Sequence, residues 1–172
     1  VSRLRPGDVL THCFRPFPGS PARTDGKIKE EILEARERGV IFDIGHGVGS
    51  FGFSTAEKML QSGFLPDAIS SDVHSLSIKG PAYDQLVTLS KFLHLGMDLK
   101  DIIAASTTGP ARAIRRPDLG TLSPGSIGDA TIVEIENTKT DYIDSLGEKR
   151  VGDKKFTLKG VVLNGSWWHQ PD

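Results

Sequence analysis

The chain has 172 residues, 25% of them charged and 37% hydrophobic, with a formal net charge of -1. That length supports one domain with a real core, and the balanced charge excludes a basic nucleic-acid surface, an acidic tail and intrinsic disorder. A single cysteine, Cys13, excludes an internal disulfide and fits a reducing, cytoplasmic setting. No apolar run approaches the roughly 18 residues of a membrane span, and no signal peptide is visible. The sequence opens on Val1 and passes almost at once into a strand, which reads as the middle of a longer protein.

In chain order, residues 9–11 form a short strand after Pro6-Gly7-Asp8, ending in His12-Cys13-Phe14. The stretch 15–26 holds Pro16, Pro18, Gly19, Pro21 and Gly26 and is a loop. A helix over 27–38 stops at Gly39. A strand at 40–44, interrupted by Asp43, ends in Gly45-His46-Gly47. A helix over 54–62 opens with a capping box, Ser54 and Glu57, and stops at Gly63. The next strand, 68–71, delivers Asp72 and His74 at its end, and 75–81 is a loop. A helix over 82–95 places Tyr83, Leu86, Val87 and Leu93 on its inner stripe. Asp98 caps a helix over 99–106, and 111–115 is a last helical turn.

The composition changes at Pro117, and a boundary there divides the chain into 1–117 and 118–172. Residues 119–129 are Gly/Ser/Pro-rich. Strands follow at 130–135, 156–159 and 160–163, with Asn164-Gly165 as a tight hairpin turn.

Three successive strands end in His12, His46 and Asp72. One such residue is most often a hydrogen-bonded structural group, but three in consecutive βα units converge on the carboxyl ends of a parallel sheet, where chemistry is placed. Imidazole and carboxylate suit Zn²⁺ or a similar ion, and a carboxylate beside it can take a proton from water. Asp72 is the candidate for that double role. His74 faces either the same mouth or solvent. His94 and His169 read as structural or exposed, Cys13 as buried and inert, and Trp167 and Trp168 as packing anchors.

A rival reading starts from Gly47, Gly49 and Gly52, which match G-x-G-x-x-G after a strand and before a helix, with Asp72 twenty residues further on. That is the outline of a dinucleotide-binding module. His46 before the first glycine, Asp43 within the strand, and the lack of further strand–helix pairs speak against it.

The phrases GDVLTHCF (7–14), FDIGHGVGSFGFSTAE (42–57), PDAISSDVHSLSIKGP (66–81), LSKFLHLGMDLKDIIAAST (89–107) and LGTLSPGSIGDATIVEI (119–135) resemble the amidohydrolase superfamily of metallo-dependent hydrolases, in its deacetylase/dihydroorotase-like branch. The resemblance covers nearly the whole chain. It implies an α/β fold: the C-terminal portion of a (β/α)8 TIM barrel, strands 6–8 with their helices, followed by part of a small β-sandwich domain. It implies that His12 is the metal-ligating histidine of strand 6, that His46 on strand 7 lies beside substrate, with His74 a weaker candidate, and that Asp72 on strand 8 is metal ligand and general base/acid. The family's His-x-His on strand 1, lysine on strand 4 and histidine on strand 5 have no counterpart here. The function implied is hydrolysis of an amide or cyclic amide C–N bond by attack of metal-bound hydroxide, with deacetylation of an N-acyl small molecule as the first reading and binuclear zinc as the cofactor of the complete enzyme. An inactive fragment is the other outcome. The bare strand edges of a partial barrel imply a homo-oligomer; neither nucleic acid nor membrane is expected as a partner.

Overall fold

The computed structural model describes residues 1–169. At its centre β1 (Val9–Leu10) pairs in parallel with β2 (Ile41–Phe42), Val9 opposite Ile41. A third stretch lies along the other side of β2. Only Asp43 and Ala68 form a formal bridge there. Yet Ile44, His46 and Gly47 donate their N–H groups to the carbonyls of Ala68, Ser70 and Ser71 at 3.0, 3.1 and 2.9 Å. The strand expected at 68–71 is therefore a half-paired extended segment. Helices take its outer side: Ile69 donates to the Ala105 carbonyl at 2.7 Å and accepts from Gln85 Nε2 at 2.6 Å.

Five helices follow the strands: α1 (Glu30–Glu37), α2 (Phe53–Gln61), α3 (Gln85–His94), α4 (Leu99–Ser106) and α5 (Thr108–Ala113). They bury Ile32, Met59, Leu89, Phe92 and Ile102 against Phe42 and Ile44 from the central strand. Phe51 stands edge-on to Phe53 and Phe92, with ring centroids 5.6 Å apart in each pair. α3 differs from its expected course. It starts three residues later, because Asp84 accepts a hydrogen bond from Val87 N–H and acts as N-cap. Tyr83 is left outside the helix and exposed, and the buried face is Thr88 to Phe92, with Lys91 in it. Among the described residues no helix is long and apolar enough to cross a membrane.

The rest is an antiparallel meander, β3 (Ala130–Ile143), β4 (Lys149–Leu163) and β5 (Ser166–His169). β3 runs 14 residues where six were expected, and the two strands expected at 156–159 and 160–163 are one 15-residue strand, β4. Their exposed face is held by cross-strand ion pairs, such as Lys159 with Glu134 at 2.8 Å, which apolar periodicity does not register. Asn164 and Gly165 both have positive φ, 50° and 75°, and turn β4 into β5 as expected. Trp167 and Trp168 are 61% and 70% exposed, so they are not the packing anchors the sequence implied. His169 lies in β5, but its side chain is outside the described residues.

The tip between β3 and β4 reaches back to the first sheet. Tyr142 and Phe156 join the same buried cluster as Phe53 and Phe92. Phe51 and Ser145 exchange two hydrogen bonds, 3.1 and 3.0 Å. Asp144, buried, accepts from Phe53 N–H at 3.0 Å and from Leu146 and Glu148 N–H at 2.8 and 2.9 Å. The expected capping box is thereby corrected. α2 begins one residue earlier, its N-cap Gly52 makes no side-chain bond, and a carboxylate from a distant hairpin satisfies the helix start. Glu57, the other half of the expected box, is paired with Arg150 of β4.

Two substitutions separate these arrangements. Ser54→Ala is expected to change stability by less than about 0.5 kcal/mol. Asp144→Ala is expected to cost about 3 kcal/mol, because it strands three backbone donors that now share one buried carboxylate. Denaturant unfolding of both variants checks the contrast; equal effects would restore the capping box.

Candidate active site

The site grows from the ends of the three parallel stretches. Asp43 of the middle one accepts from Thr11 Oγ1 at 2.7 Å and from Ser70 Oγ at 2.8 Å, one hydroxyl from each flanking stretch. Ser70 Oγ in turn accepts from Gly45 N–H at 3.1 Å. An acidic residue that looks like an interruption of a strand is thus the tie between three strand ends. Its Oδ1 is buried and has no hydrogen-bond partner among the described residues.

Beyond the tie the chain turns through Gly45-His46-Gly47, with φ of 49° at Gly45 and 51° at Gly47. A side chain at either glycine would be strained at that φ and would also collide. At Gly45 a Cβ would meet Thr11 Oγ1 and the His12 ring, and at Gly47 it would meet the Asp72 carboxylate. His12 and Asp72 therefore both lie against this one turn. They are themselves left-handed, φ 61° and 47°, a conformation that costs a non-glycine residue of order 1–2 kcal/mol and that His and Asp tolerate better than most.

His12 is half-buried and its Nδ1 lies 2.7 Å from the Gly45 carbonyl. A carbonyl only accepts, so Nδ1 carries the proton and Nε2 of the neutral ring keeps its lone pair. Asp72 is exposed, and its backbone carbonyl accepts from Ser77 Oγ at 3.2 Å. His74 is also exposed; its Nδ1 accepts from Leu76 N–H at 3.3 Å, which folds the ring back on its own turn.

His46 takes a different place from the expected one beside substrate. It is fully buried, stacked on Phe51 at 4.7 Å between centroids. Nδ1 lies 2.9 Å from the Gly47 carbonyl and is the protonated nitrogen; Nε2 lies 2.7 Å from Lys91 Nζ and accepts from it. Both nitrogens are taken by protein, and the ring holds the turn. Burial first, and then the Lys91 charge, push its pKa down to about 4. Lys91 was missed in the sequence, where it reads as the solvated face of an amphipathic helix. It has no solvent exposure, and burial pushes its pKa down to about 7 against the opposing pull of Asp144. Cys13 is buried beside the site; desolvation pushes its thiol well up, which keeps it unreactive.

The glycine loop does not have the form of a nucleotide cradle. Gly47 is demanded by Asp72, whereas a Cβ on Gly49 would meet open space. The start of α2, where a pyrophosphate would sit, is already bound to the Asp144 carboxylate.

An imidazole and a carboxylate thus lie against one turn, at the carboxyl ends of parallel stretches in an α/β fold. The model of the Amidohydrolase family matches residues 28–168, and the chain belongs to that family. It is 38% identical over 93% of its length to a deacetylase of Brucella anthropi, and 35% identical over 96% to a deacetylase of Enterococcus faecalis. These matches span 40% and 45% of the two relatives, so the chain covers less than half the length of either. Its structure superimposes on that of an adenine deaminase with a TM-score of 0.93 (33% identity, 98% of this chain, 46% of the other). A dihydroorotase structure gives 0.81 (32% identity, 96% and 45%).

Two experiments read this geometry. Gly47→Ala is expected to destabilise the protein by about 1–2 kcal/mol and to displace the Asp72 carboxylate, seen as a changed side-chain carbonyl shift in NMR, while Gly49→Ala stays within about 0.5 kcal/mol. The second concerns pH. An unfolded histidine protonates near its ordinary value of about 6.5 and folded His46 only near 4, so between these values the unfolded state binds more protons. The contribution of His46 is complete above about 6.5 and is lost as pH falls toward 4, about 3 kcal/mol in all. Denaturant midpoints followed down to about pH 4 should show this slope, and His46→Gln should flatten it.

Proposed function

We propose that this chain forms the strand 6–8 part of a (β/α)8 barrel enzyme that hydrolyses an amide or cyclic amide C–N bond with a divalent metal, zinc in the first instance. The substrate class we favour is an N-acyl small molecule, and the reaction deacetylation. The names of the relatives support C–N chemistry: two deacetylases, an adenine deaminase and a dihydroorotase. The observation that carries the reading is the pairing on one turn of a histidine with a free Nε2 lone pair and an exposed carboxylate.

These residues fit a metal in kind. His12 donates its Nδ1 proton to a backbone carbonyl, the arrangement that orients a ligating imidazole and raises its basicity. They do not complete a site: the described residues contain no group of three or more His, Cys, Asp or Glu able to hold an ion. More than half of each relative lies outside the stretch matched here, and we place the remaining donors in that part of the family fold. The free edge of β1 would pair with its further strands, and the homo-oligomer expected from bare edges rests on the same edge. When bound, the metal would polarise the substrate carbonyl and make water a better nucleophile at neutral pH.

The chain's own residues then divide the work. His12 presents Nε2. Asp72, exposed at the strand end, takes a proton from the attacking water and returns it to the leaving nitrogen, one carboxylate acting as base and then as acid. Gly45 and Gly47 let both side chains approach the backbone, and His46 fixes the turn from beneath.

In the full-length protein Asp72→Asn is expected to lower kcat about 100- to 10,000-fold on a panel of N-acetyl amines, with KM nearly unchanged. The amide keeps the size of the side chain and removes the proton acceptor. An Asp72→Asn enzyme with wild-type kcat would show that the proton travels elsewhere.

A further inference from the structure

We propose that Lys91 is a positioning residue of the strand-end site: it holds the His46 imidazole and, through it, the Gly45–Gly47 turn on which His12 and Asp72 rest. The inference extends the reading of those strand ends as an active site. Lys91 lies on α3 with no solvent exposure and, among the described residues, no carboxylate within ion-pair distance. Its Nζ faces three acceptors: His46 Nε2 at 2.7 Å, the Pro81 carbonyl at 2.7 Å and the Ile143 carbonyl at 2.8 Å. Three acceptors are what the three N–H groups of an ammonium satisfy. The Phe51 ring, which stacks on His46, also lies 5.8 Å from Nζ. The nearest buried carboxylate, Asp144, is occupied by three backbone donors and gives only long-range balance.

The hydrogen bonds run in one direction from this ammonium to the site. Nζ donates to Nε2 of His46, which leaves the ring proton on Nδ1, and Nδ1 donates to the Gly47 carbonyl at 2.9 Å. Gly47 N–H is bound to Ser71, the residue before Asp72, and the Asp72 carboxylate lies over the Gly47 α-carbon. At the other end of the turn the Gly45 carbonyl fixes His12 in its Nδ1–H form. Without the donor at position 91, Nε2 of His46 is buried and unpaired. The ring then keeps only its Nδ1–H bond to the Gly47 carbonyl and loses its tie to α3. Lys91 does more than fill space, since an apolar side chain of its length would fill the same volume without the cost of burying a charge. Its other two bonds reach the loop that follows Asp72 and the β3 end of the hairpin tip. One charge thus joins the three segments around the turn.

The test uses the full-length protein with ¹⁵N-labelled histidine, as wild type, Lys91→Met and Lys91→Gln. In the wild type, imidazole ¹⁵N shifts should give the Nδ1–H tautomer at both His46 and His12. In Lys91→Met, the His46 Nε2 shift should move to that of a lone pair without a hydrogen-bond donor, His12 should lose its fixed tautomer, and affinity for Zn²⁺ alone should fall 10- to 100-fold, the range seen when outer-shell partners of metal ligands are lost. Lys91→Gln, which keeps an N–H donor without the charge, should recover most of both readouts. Lys91→Met leaves three buried acceptors unpaired and should melt lower than wild type, so the tautomers and Zn²⁺ affinity are read well below its melt, where a loss of positioning is separate from unfolding. Wild-type tautomers together with wild-type Zn²⁺ affinity in Lys91→Met would overturn the proposal. So would an Nε2–H tautomer at His46 in the wild type, a measurement that needs no variant to fold. If the wild type takes up no Zn²⁺, the metal reading fails, and the tautomers of His46 and His12 still decide the role of Lys91.

Discussion

The structure depends on a turn with room for no side chain on its outer face. At Gly45 and Gly47 the backbone is left-handed, and the space a Cβ would need is filled by His12 and Asp72. The constraint works in both directions. The glycines permit the approach, and the approach explains why the turn is bracketed by glycine and not by the alanine or serine common at strand ends. It also brings together residues 60 positions apart in sequence, His12 and Asp72, without direct hydrogen bonding between them. His12 is oriented by its bond to the backbone of a third segment, and the Asp72 carboxylate packs against the same backbone.

That turn needs support from below, and the support comes from outside the parallel strands. Asp43 ties the strand ends from within the sheet. The β3–β4 tip ties the glycine loop from outside: Ser145 pairs with Phe51, and Asp144 caps Phe53. Phe51 sits between these ties and stacks on His46, so a displacement of the hairpin is felt at the turn. The meander is not an appended sheet in this respect. It closes the floor of the site, and Phe156 N–H bound to Ser90 Oγ fixes it to α3, the helix that carries Lys91.

Much of this was legible in the sequence, and what was not has identifiable causes. The short strands before His12 and His46, the helix at 99–106 and the Asn164-Gly165 turn are local signals: glycine punctuation, apolar runs and a two-residue hairpin loop. The start of α2 misled because its donor is satisfied by a residue 91 positions away, which leaves no trace near Ser54. The lengths of β3 and β4 misled because their outer faces are held by charge pairs. His46 was picked out, but its buried protein partners were not. Its position at a strand end is a sequence property, but the direction of its ring is decided by Phe51 and Lys91, which come from two other elements. Lys91 itself was invisible, since a lysine on an amphipathic helix is normally solvated and only three converging acceptors mark it as buried by design.

The electrostatic arrangement follows from these placements. Burial first, and then the neighbouring Lys91 charge, hold His46 neutral down to acidic pH. A neutral His46 has one donor and one acceptor, and both are used, the acceptor toward Lys91 and the donor toward the turn. Were the ring protonated, it would present two donors, repel Lys91 and lose the bond that supports it from α3. The charge of Lys91 therefore fixes which nitrogen of His46 carries the proton, and that proton fixes the Gly47 carbonyl. The turn is thus held by a histidine that stays neutral at neutral pH, while His12 and Asp72 lie against the other side of the same turn.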